Sequence, residues 1–85
     1  MRPEDIRQLI RTRPFLPLRV IMMDGTSYDI RHPDMVIVTR SWITIGMADE
    51  PETGVADREA RCSLLHIVRI EDLDGQTRWV NEEAA

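Results

Sequence analysis

The chain has 85 residues, of which 42% are hydrophobic, and it carries a formal net charge of −4 at neutral pH. A chain of this length hides only about 60–65% of its unfolded surface, so we expect one domain over residues 1–85 with a modest core. All eleven basic residues are Arg, scattered among fifteen acidic ones, unlike the basic face of a typical nucleic-acid-binding protein. The single Cys62 excludes a disulfide framework, and no apolar run resembles a membrane span or signal peptide. Composition therefore predicts a cytoplasmic protein with no membrane partner.

The first predicted element is a helix over residues 3–13. Pro3 suits the first helical position, and Pro14 ends the pattern because proline cannot continue a helix. Three apolar residues recur at helical spacing and form one stripe: Ile6, Leu9 and Ile10. Eleven residues barely hold a helix in water, so we expect this stripe to pack on the rest of the domain.

Residues 20–30 and 70–80 are near-echoes of each other. Each copy is an apolar run, an Asp-Gly pair and then an alternation of polar and apolar residues, with the pairs at Asp24-Gly25 and Asp74-Gly75. Asp-Gly between such runs is a strong hairpin signal, because a type I′ turn needs positive φ at both central residues. The sequence therefore predicts two tight hairpins.

The first hairpin joins predicted strands over residues 18–23 and 26–31. The first strand is apolar on both faces except at Arg19, which indicates burial between the sheet and the helix. The second strand alternates, with Tyr28 and Ile30 on its apolar face. A two-residue turn places Arg19 opposite Ile30.

The remaining elements are short strands around one loop. Pro33 cannot donate to a ladder and marks a turn after His32, while Gly46 inside a strand indicates a close approach of backbone. The predicted strands cover residues 35–39, 43–47, 61–73 and 77–80, separated by a polar loop over 48–60 and followed by a frayed tail over 81–85. We therefore predict a mainly β fold with an N-terminal helix: over residues 15–80, a small, partly open, SH3-like barrel of about five strongly bent antiparallel strands.

Four segments carry a resemblance to known proteins. They read R-P-F-L-P-L at residues 13–18, D-G at 24–25, H-P at 32–33 and L-H-I-V-R-I-E at 65–71. Together they resemble a family of small bacterial proteins, a resemblance that implies no particular activity. More loosely, the helix followed by a bent barrel is similar to the Sm-like RNA chaperones. Those proteins carry a Lys-His pair on a late strand, of which this chain has only His66.

No group of residues matches a metal or catalytic site. The candidate ligands His32, His66, Cys62 and Asp34 fit no known spacing, so we predict no metal and no cofactor. We expect His66 to be partly buried and the His32 imidazole to cap its turn. Cys62 and His66 lie four apart on one predicted strand, about 13 Å, too far for a catalytic pair.

The predicted last hairpin contains two carboxylates, Asp72 and Asp74, which we interpret as solvated turn residues. The chain also lacks a glycine-rich phosphate loop. We therefore expect no catalytic residues and no enzymatic activity.

The interaction candidates are two tryptophans beside arginines. Trp42 follows Arg40 closely and Trp79 follows Arg78 directly, and Trp and Arg dominate the energetic centres of interfaces. The alternative is that each Trp covers an end of the barrel. His32 and His66 complete the set of candidates.

The leading functional hypothesis is a non-enzymatic interaction module that binds itself or another protein, because self-association is a common remedy for a small core. One alternative is an Sm-like nucleic-acid-binding protein, and another is a small-ligand or metal sensor using His32 and the acidic loop. Four arginines bear on the nucleic-acid alternative, because together they could form a basic stripe: Arg19, Arg31, Arg61 and Arg69. We expect them to pair with carboxylates across strands, at Asp29, Glu59 or Glu71, rather than to form a basic stripe.

Overall fold

The computed structural model describes residues 1–82, apart from the side chain of Pro51. Residues 83–85, most of the predicted tail, lie outside the described residues. The elements in chain order are a helix and seven strands: α1 (Pro3–Arg11), β1 (Leu18–Met22), β2 (Ser27–Ile30), β3 (Val36–Val38), β4 (Trp42–Met47), β5 (Arg58–Ser63), β6 (Ile67–Asp72) and β7 (Thr77–Val80). Short 3-10 turns lie at Pro33–Met35, Pro51–Thr53 and Leu64–His66.

The strands of residues 1–82 form two antiparallel sheets. One has the order β2-β1-β6-β7 and the other the order β3-β4-β5. The prediction of a mainly β domain with one N-terminal helix is confirmed. The number of strands is seven rather than about five, and the two sheets do not close into a barrel. Strands β2, β7, β3 and β5 therefore each lack a partner on one side.

Helix α1 packs its apolar stripe on the core, as predicted. Ile6 is fully buried, and Leu9 and Ile10 are half-buried against the core cluster. At the start of the helix, the Arg2 backbone N–H donates to the Asp5 carboxylate at 3.1 Å, so an acidic side chain satisfies a free N-terminal donor. The helix ends at Arg11, two residues earlier than predicted.

The helix packs mainly against β3, which belongs to the other sheet from β1. Just before the helix, the Met1 ammonium donates to the Leu64 carbonyl at 3.1 Å. On β1, Leu18 and Val20 are buried while Ile21 is only half-buried. The prediction that β1 is buried on both faces is therefore wrong, because no second layer covers its outer side.

Both Asp-Gly pairs form hairpin turns, but of a different kind from the predicted one. Gly25 and Gly75 have φ of +89° and +91°, as expected, whereas no residue other than glycine has positive φ in residues 1–82. A type I′ turn is therefore excluded. The Gly25 N–H donates to the Met22 carbonyl at 3.0 Å, and the Met22 N–H donates to the Thr26 carbonyl at 2.9 Å. This is a type I turn followed by a glycine bulge.

The three-residue loop moves the register of the first hairpin by one residue. Arg19 lies opposite Asp29 and not opposite Ile30 as predicted. The predicted faces of β2 survive this change, since Ile30 is fully buried and Tyr28 packs against the core. The shift brings opposite charges together on the outer face of the sheet.

Substituting either turn glycine with valine is expected to lower the free energy of unfolding by about 1–3 kcal/mol, because a β-branched residue is strained at positive φ. A Cβ at Gly25 or Gly75 would meet nothing within 4 Å, so the whole cost lies in the backbone. Urea unfolding of Gly75→Val measures it, with Gln76→Val as the matched control beside it. Equal stability of these two variants would contradict the assigned turn.

The segment predicted to form one strand over residues 61–73 belongs to two strands, β5 and β6, which the 3-10 turn Leu64–His66 separates. Leu64 and Ile67 are both buried, a spacing of three that suits a helical turn and not a strand. His66 is consequently exposed, so the prediction of a partly buried histidine is wrong. Strand β5 also begins at Arg58, which removes the last three residues from the predicted loop 48–60.

Gly46 permits the predicted close approach of backbone. A Cβ at this position would lie 3.1 Å from the Ala56 Cβ and 3.2 Å from the Met35 Cε. The connection between β4 and β5 therefore folds tightly over the end of β4. It is held there by the Asp57 carboxylate, which accepts from the Asp49 N–H at 2.8 Å.

Candidate functional site

The longest unpartnered edge in residues 1–82 belongs to β5. This six-residue strand pairs with β4 on one side only. The Leu64 N–H donates to the Ser41 carbonyl at 3.0 Å, and hydrogen bonding alternates along an antiparallel pair. Cys62 and Ala60 therefore bond to β4, while the backbone N–H and C=O groups of Glu59 and Arg61 face the open side.

Two charged side chains of β5 have no charge partner in residues 1–82. The Arg61 guanidinium lies over the Trp42 ring, 4.8 Å from its centroid, and makes no ion pair. The exposed Glu59 carboxylate makes neither an ion pair nor a hydrogen bond. Both residues lie on the outer face of the sheet, two positions apart.

Two grooves lie between β5 and the β1–β2 hairpin. The first, here called the arginine groove, has a volume of about 420 Å³ and is lined by residues that include Arg19, Arg31 and Arg58. The second has a volume of about 440 Å³ and contains Met22, Met23 and His66. Both grooves therefore border β5, and Tyr28 is the lining residue that they have in common.

Ion pairs occupy most of the outer face of the four-stranded sheet. Arg19 binds both carboxylate oxygens of Asp29, at 2.9 and 3.3 Å, and Arg31 binds the second oxygen at 3.3 Å. Arg69 pairs with Glu71 at 2.9 Å. The hydrogen bonds to Asp29 raise the pKa of Arg19 above its ordinary value. Of the four arginines in question, only Arg19 pairs across strands as predicted, with Asp29. Arg31 and Arg69 pair with carboxylates two positions away in their own segments, and Arg61 makes no ion pair within residues 1–82.

The six predicted interaction residues do not lie together in one surface patch. Trp42 is partly exposed and contacts Arg61 rather than Arg40, which is exposed in the β3–β4 hairpin. Trp79 is half-buried and packs against the core. Arg78 points to Asp72, with a nitrogen–oxygen distance of 3.0 Å.

The two histidines lie in different grooves. His32 lines the arginine groove and His66 the second groove, and both are exposed. The His32 imidazole makes no hydrogen bond to the 3-10 turn that follows it, so the predicted capping role is wrong. The turn is instead closed by backbone, since the Met35 N–H donates to the His32 carbonyl at 3.1 Å.

Asp72 is buried, and the prediction of a solvated turn residue is wrong for it. Its carboxylate accepts from the N–H groups of Asp74 and Gln76, at 3.0 and 2.9 Å, and from Arg78. Only 7% of the residue is exposed. The hydrogen bond from Gln76, followed by those from Arg78 and Asp74, holds the pKa of this carboxyl below its usual range despite its burial. Asp74 is exposed, as predicted.

Cys62 and His66 line the same groove, because the 3-10 turn between them breaks the single strand assumed from the sequence. No hydrogen bond joins them. Burial raises the pKa of the Cys62 thiol, which keeps it protonated and makes it a poor nucleophile. Within residues 1–82, no three His, Cys, Asp or Glu side chains are placed to hold a metal ion, and no helix has the length and apolarity to cross a membrane.

Sequence reasoning overlooked the part of Glu59 in this site and the parts of Arg58 and Tyr28. The placement of Glu59 and Arg58 depends on the register of β4 with β5, which has Thr44 opposite Arg61 and is set across a long connection. The placement of Tyr28 depends on how the β1–β2 hairpin lies against β5. The only local signal in the sequence was the change from polar Arg61 to apolar Cys62, which indicates that their side chains lie on opposite faces of a strand. Comparison with protein-family models, with curated proteins and with solved structures finds no match for this chain.

Proposed function

We propose that the protein is a non-enzymatic interaction domain that self-associates by pairing the β5 edges of two copies. The observation that carries the proposal is the unpartnered edge of β5, with Glu59 and Arg61 both lacking a charge partner. An open strand edge is a ready template for another strand. A domain of 85 residues also gains from the additional buried surface that association supplies.

Antiparallel pairing centred on Ala60 satisfies both the backbone and the charges. In this register Glu59 lies opposite Arg61 of the second copy, and Arg61 lies opposite Glu59 of the second copy. The backbone N–H and C=O groups of Glu59 and Arg61 face the open side. Each pairing of Glu59 with Arg61 of the other copy is therefore a hydrogen-bonded pair of the antiparallel ladder. Each also brings together opposite charges on one face. Ala60 meets its own copy at the two-fold axis, where its small side chain leaves room.

The product is a two-fold symmetric dimer with one continuous sheet in the order β3-β4-β5-β5-β4-β3. Such an interface is isologous, because the same surface serves both partners. Trp42 and Arg61 lie on the outer face of this sheet, beside the new pair of strands. Their stack holds the guanidinium within the face that the partner's Glu59 approaches.

Nucleic-acid binding has weaker support. Affinity for a phosphate backbone scales with the number of cations presented. Arg19, Arg31 and Arg69 are already engaged by carboxylates, and the net charge of the chain is −4. The charge-paired surface favours a protein partner.

Size-exclusion chromatography with light scattering tests the dimer through charge reversal. Arg61→Glu places like charges opposite each other twice, and Glu59→Arg does the same, so each is expected to weaken dimerisation about tenfold or more. The double variant Glu59→Arg/Arg61→Glu restores opposite charges and is expected to dimerise again. Arg11→Glu, at the exposed end of α1, is the matched control.

Three outcomes would contradict the proposal. They are a monomeric wild-type chain at about 100 µM, single variants that dimerise as well as wild type, and a double variant that stays monomeric. The double variant does not restore the stack on Trp42, so recovery of the dimer assigns the effect to the pairing of charges. A particle that forms only with single-stranded RNA would replace the proposal by the nucleic-acid alternative.

A further inference from the structure

We propose that the arginine groove binds a small organic anion, namely a carboxylate carried on a flat apolar body. The groove is lined by residues of β2, the end of β4 and the start of β5. Its volume of about 420 Å³ is within the range of small-molecule sites, which combine a mainly apolar lining with a few fixed polar groups. The inference goes beyond the proposed self-association, because it concerns a small ligand and not a strand, although Arg58 belongs both to this lining and to strand β5.

The charge of the groove is opposite to that of the whole chain. Three guanidiniums line it, those of Arg19, Arg31 and Arg58. They face two carboxylates, that of Asp29 in the lining and that of Asp49, which pairs with Arg58, whereas the chain carries −4. A local excess of positive charge in an acidic protein attracts an anion to this place and not to the general surface.

Asp29 positions two of these guanidiniums. It binds Arg19 through both oxygens and Arg31 through one, and only about a quarter of its side chain is exposed, at 24%. Arg31 uses a single terminal nitrogen for this contact, so its remaining N–H donors are available to a ligand. Planar guanidinium groups bind a carboxylate in a two-point geometry.

Two further donors face the groove. Arg58 is tied to Asp49 at 3.2 Å by an exposed pair, with side chains 66% and 68% exposed, and such pairs contribute little stability. The imidazole of His32 has no hydrogen-bond partner in residues 1–82. An incoming carboxylate therefore meets Arg31, Arg58 and His32 without disrupting the pair that Asp29 makes with Arg19.

The rest of the lining suits a flat apolar body. Tyr28 supplies an aromatic ring, and Met35 and Met47 supply flexible thioethers that adapt to the shape of a ring. Asp29 contributes a negative charge to the same wall, which disfavours a ligand with two charges. The lining thus favours a monoanion, such as an aromatic carboxylate, over a phosphate.

Titration with 2-naphthoate, followed by proton–nitrogen NMR of the labelled full chain, tests the site. We expect saturable shifts of the amides of Ser27–Ile30 and of residues 46–48 and 58. The neutral analogue 2-naphthamide has nearly the same shape and is expected to bind about tenfold more weakly or worse. Equal binding of the two compounds, or shifts centred elsewhere, would overturn the proposal.

Two variants separate the ionic contact from simple hydrophobic adsorption. Arg31→Gln and Arg58→Gln are each expected to weaken 2-naphthoate binding about tenfold and to leave 2-naphthamide binding unchanged. Both side chains are at least 60% exposed, so melting temperatures close to wild type are expected and confirm folding. Arg11→Gln removes the same charge far from the groove. If it weakens binding as much as the groove variants do, net charge and not a site explains the affinity.

Discussion

Replacing Ile6 with Ala is expected to lower the free energy of unfolding by about 2–4 kcal/mol, since removal of a buried isoleucine loses both its transfer energy and the packing around the cavity. Ile6 is fully buried and is the only residue of α1 in the core cluster itself. A domain of this size has a total stability of about 5–10 kcal/mol, so this single change removes a large part of it.

Urea unfolding followed by circular dichroism measures the effect of Ile6→Ala, and Leu9→Ala is the graded control. Leu9 is only half-buried, so its truncation is expected to cost about half as much or less. Gln8→Ala, on the exposed side of the helix, is expected to change stability by less than about 0.5 kcal/mol. Equal stability of the Ile6 and Gln8 variants would contradict the docking of α1.

Replacing Asp72 with Asn is expected to lower the melting temperature at pH 6 by about 5–10 °C, because breaking a buried hydrogen-bond network is among the largest effects of a single residue. The carboxylate is the common acceptor for two backbone N–H groups and Arg78. Asn presents one acceptor oxygen without charge, and its amide group would face donors. Asp74→Asn, exposed on the same turn, is expected to shift the melting temperature by about 2 °C or less.

The effect of Asp72→Asn is expected to become smaller in acid. The folded chain holds the pKa of Asp72 below its ordinary value of 3.8, chiefly through the Gln76 N–H. A lowered pKa means that the stabilisation is complete above about pH 3.8 and is lost as the pH falls through the folded pKa. Thermal unfolding at pH 6 and at pH 2.5 tests this sign. A difference between wild type and variant that stays constant with pH would show that the charge of Asp72 has no role.

The sequence predicted the hairpins well and their register poorly, for a local reason. Asp-Gly is compatible with a two-residue type I′ loop and with a three-residue loop that ends in a glycine bulge, and both require positive φ at the glycine. The choice shifts the pairing by one residue and moves Arg19 from Ile30 to Asp29. The alternation of β2 does not depend on that choice, so the predicted burial of Ile30 is confirmed.

The candidate site was harder to predict because it depends on contacts between distant segments. Arg78 and Trp79 are neighbours in sequence, but successive residues on a strand point to opposite faces. In the structure Arg78 binds Asp72 and Trp79 packs on the core. The contact between Trp42 and Arg61 instead joins β4 to β5 diagonally, and no pattern within either segment encodes their relative register. His66 was misplaced for a similar reason, since period-two alternation does not continue through a 3-10 turn.

The unequal strand edges have a consequence for solubility. Fibre growth by strand addition requires each molecule to offer two usable edges, so that the chain of contacts never closes. Apart from β5, the edge strands of residues 1–82 have only three or four residues. Of these, β3 is contacted by α1, and β2 carries the charged Asp29. Short and charged edges resist further pairing. In the proposed dimer both long edges are used, so we expect strand addition to end after that one step and open-ended aggregation to be disfavoured.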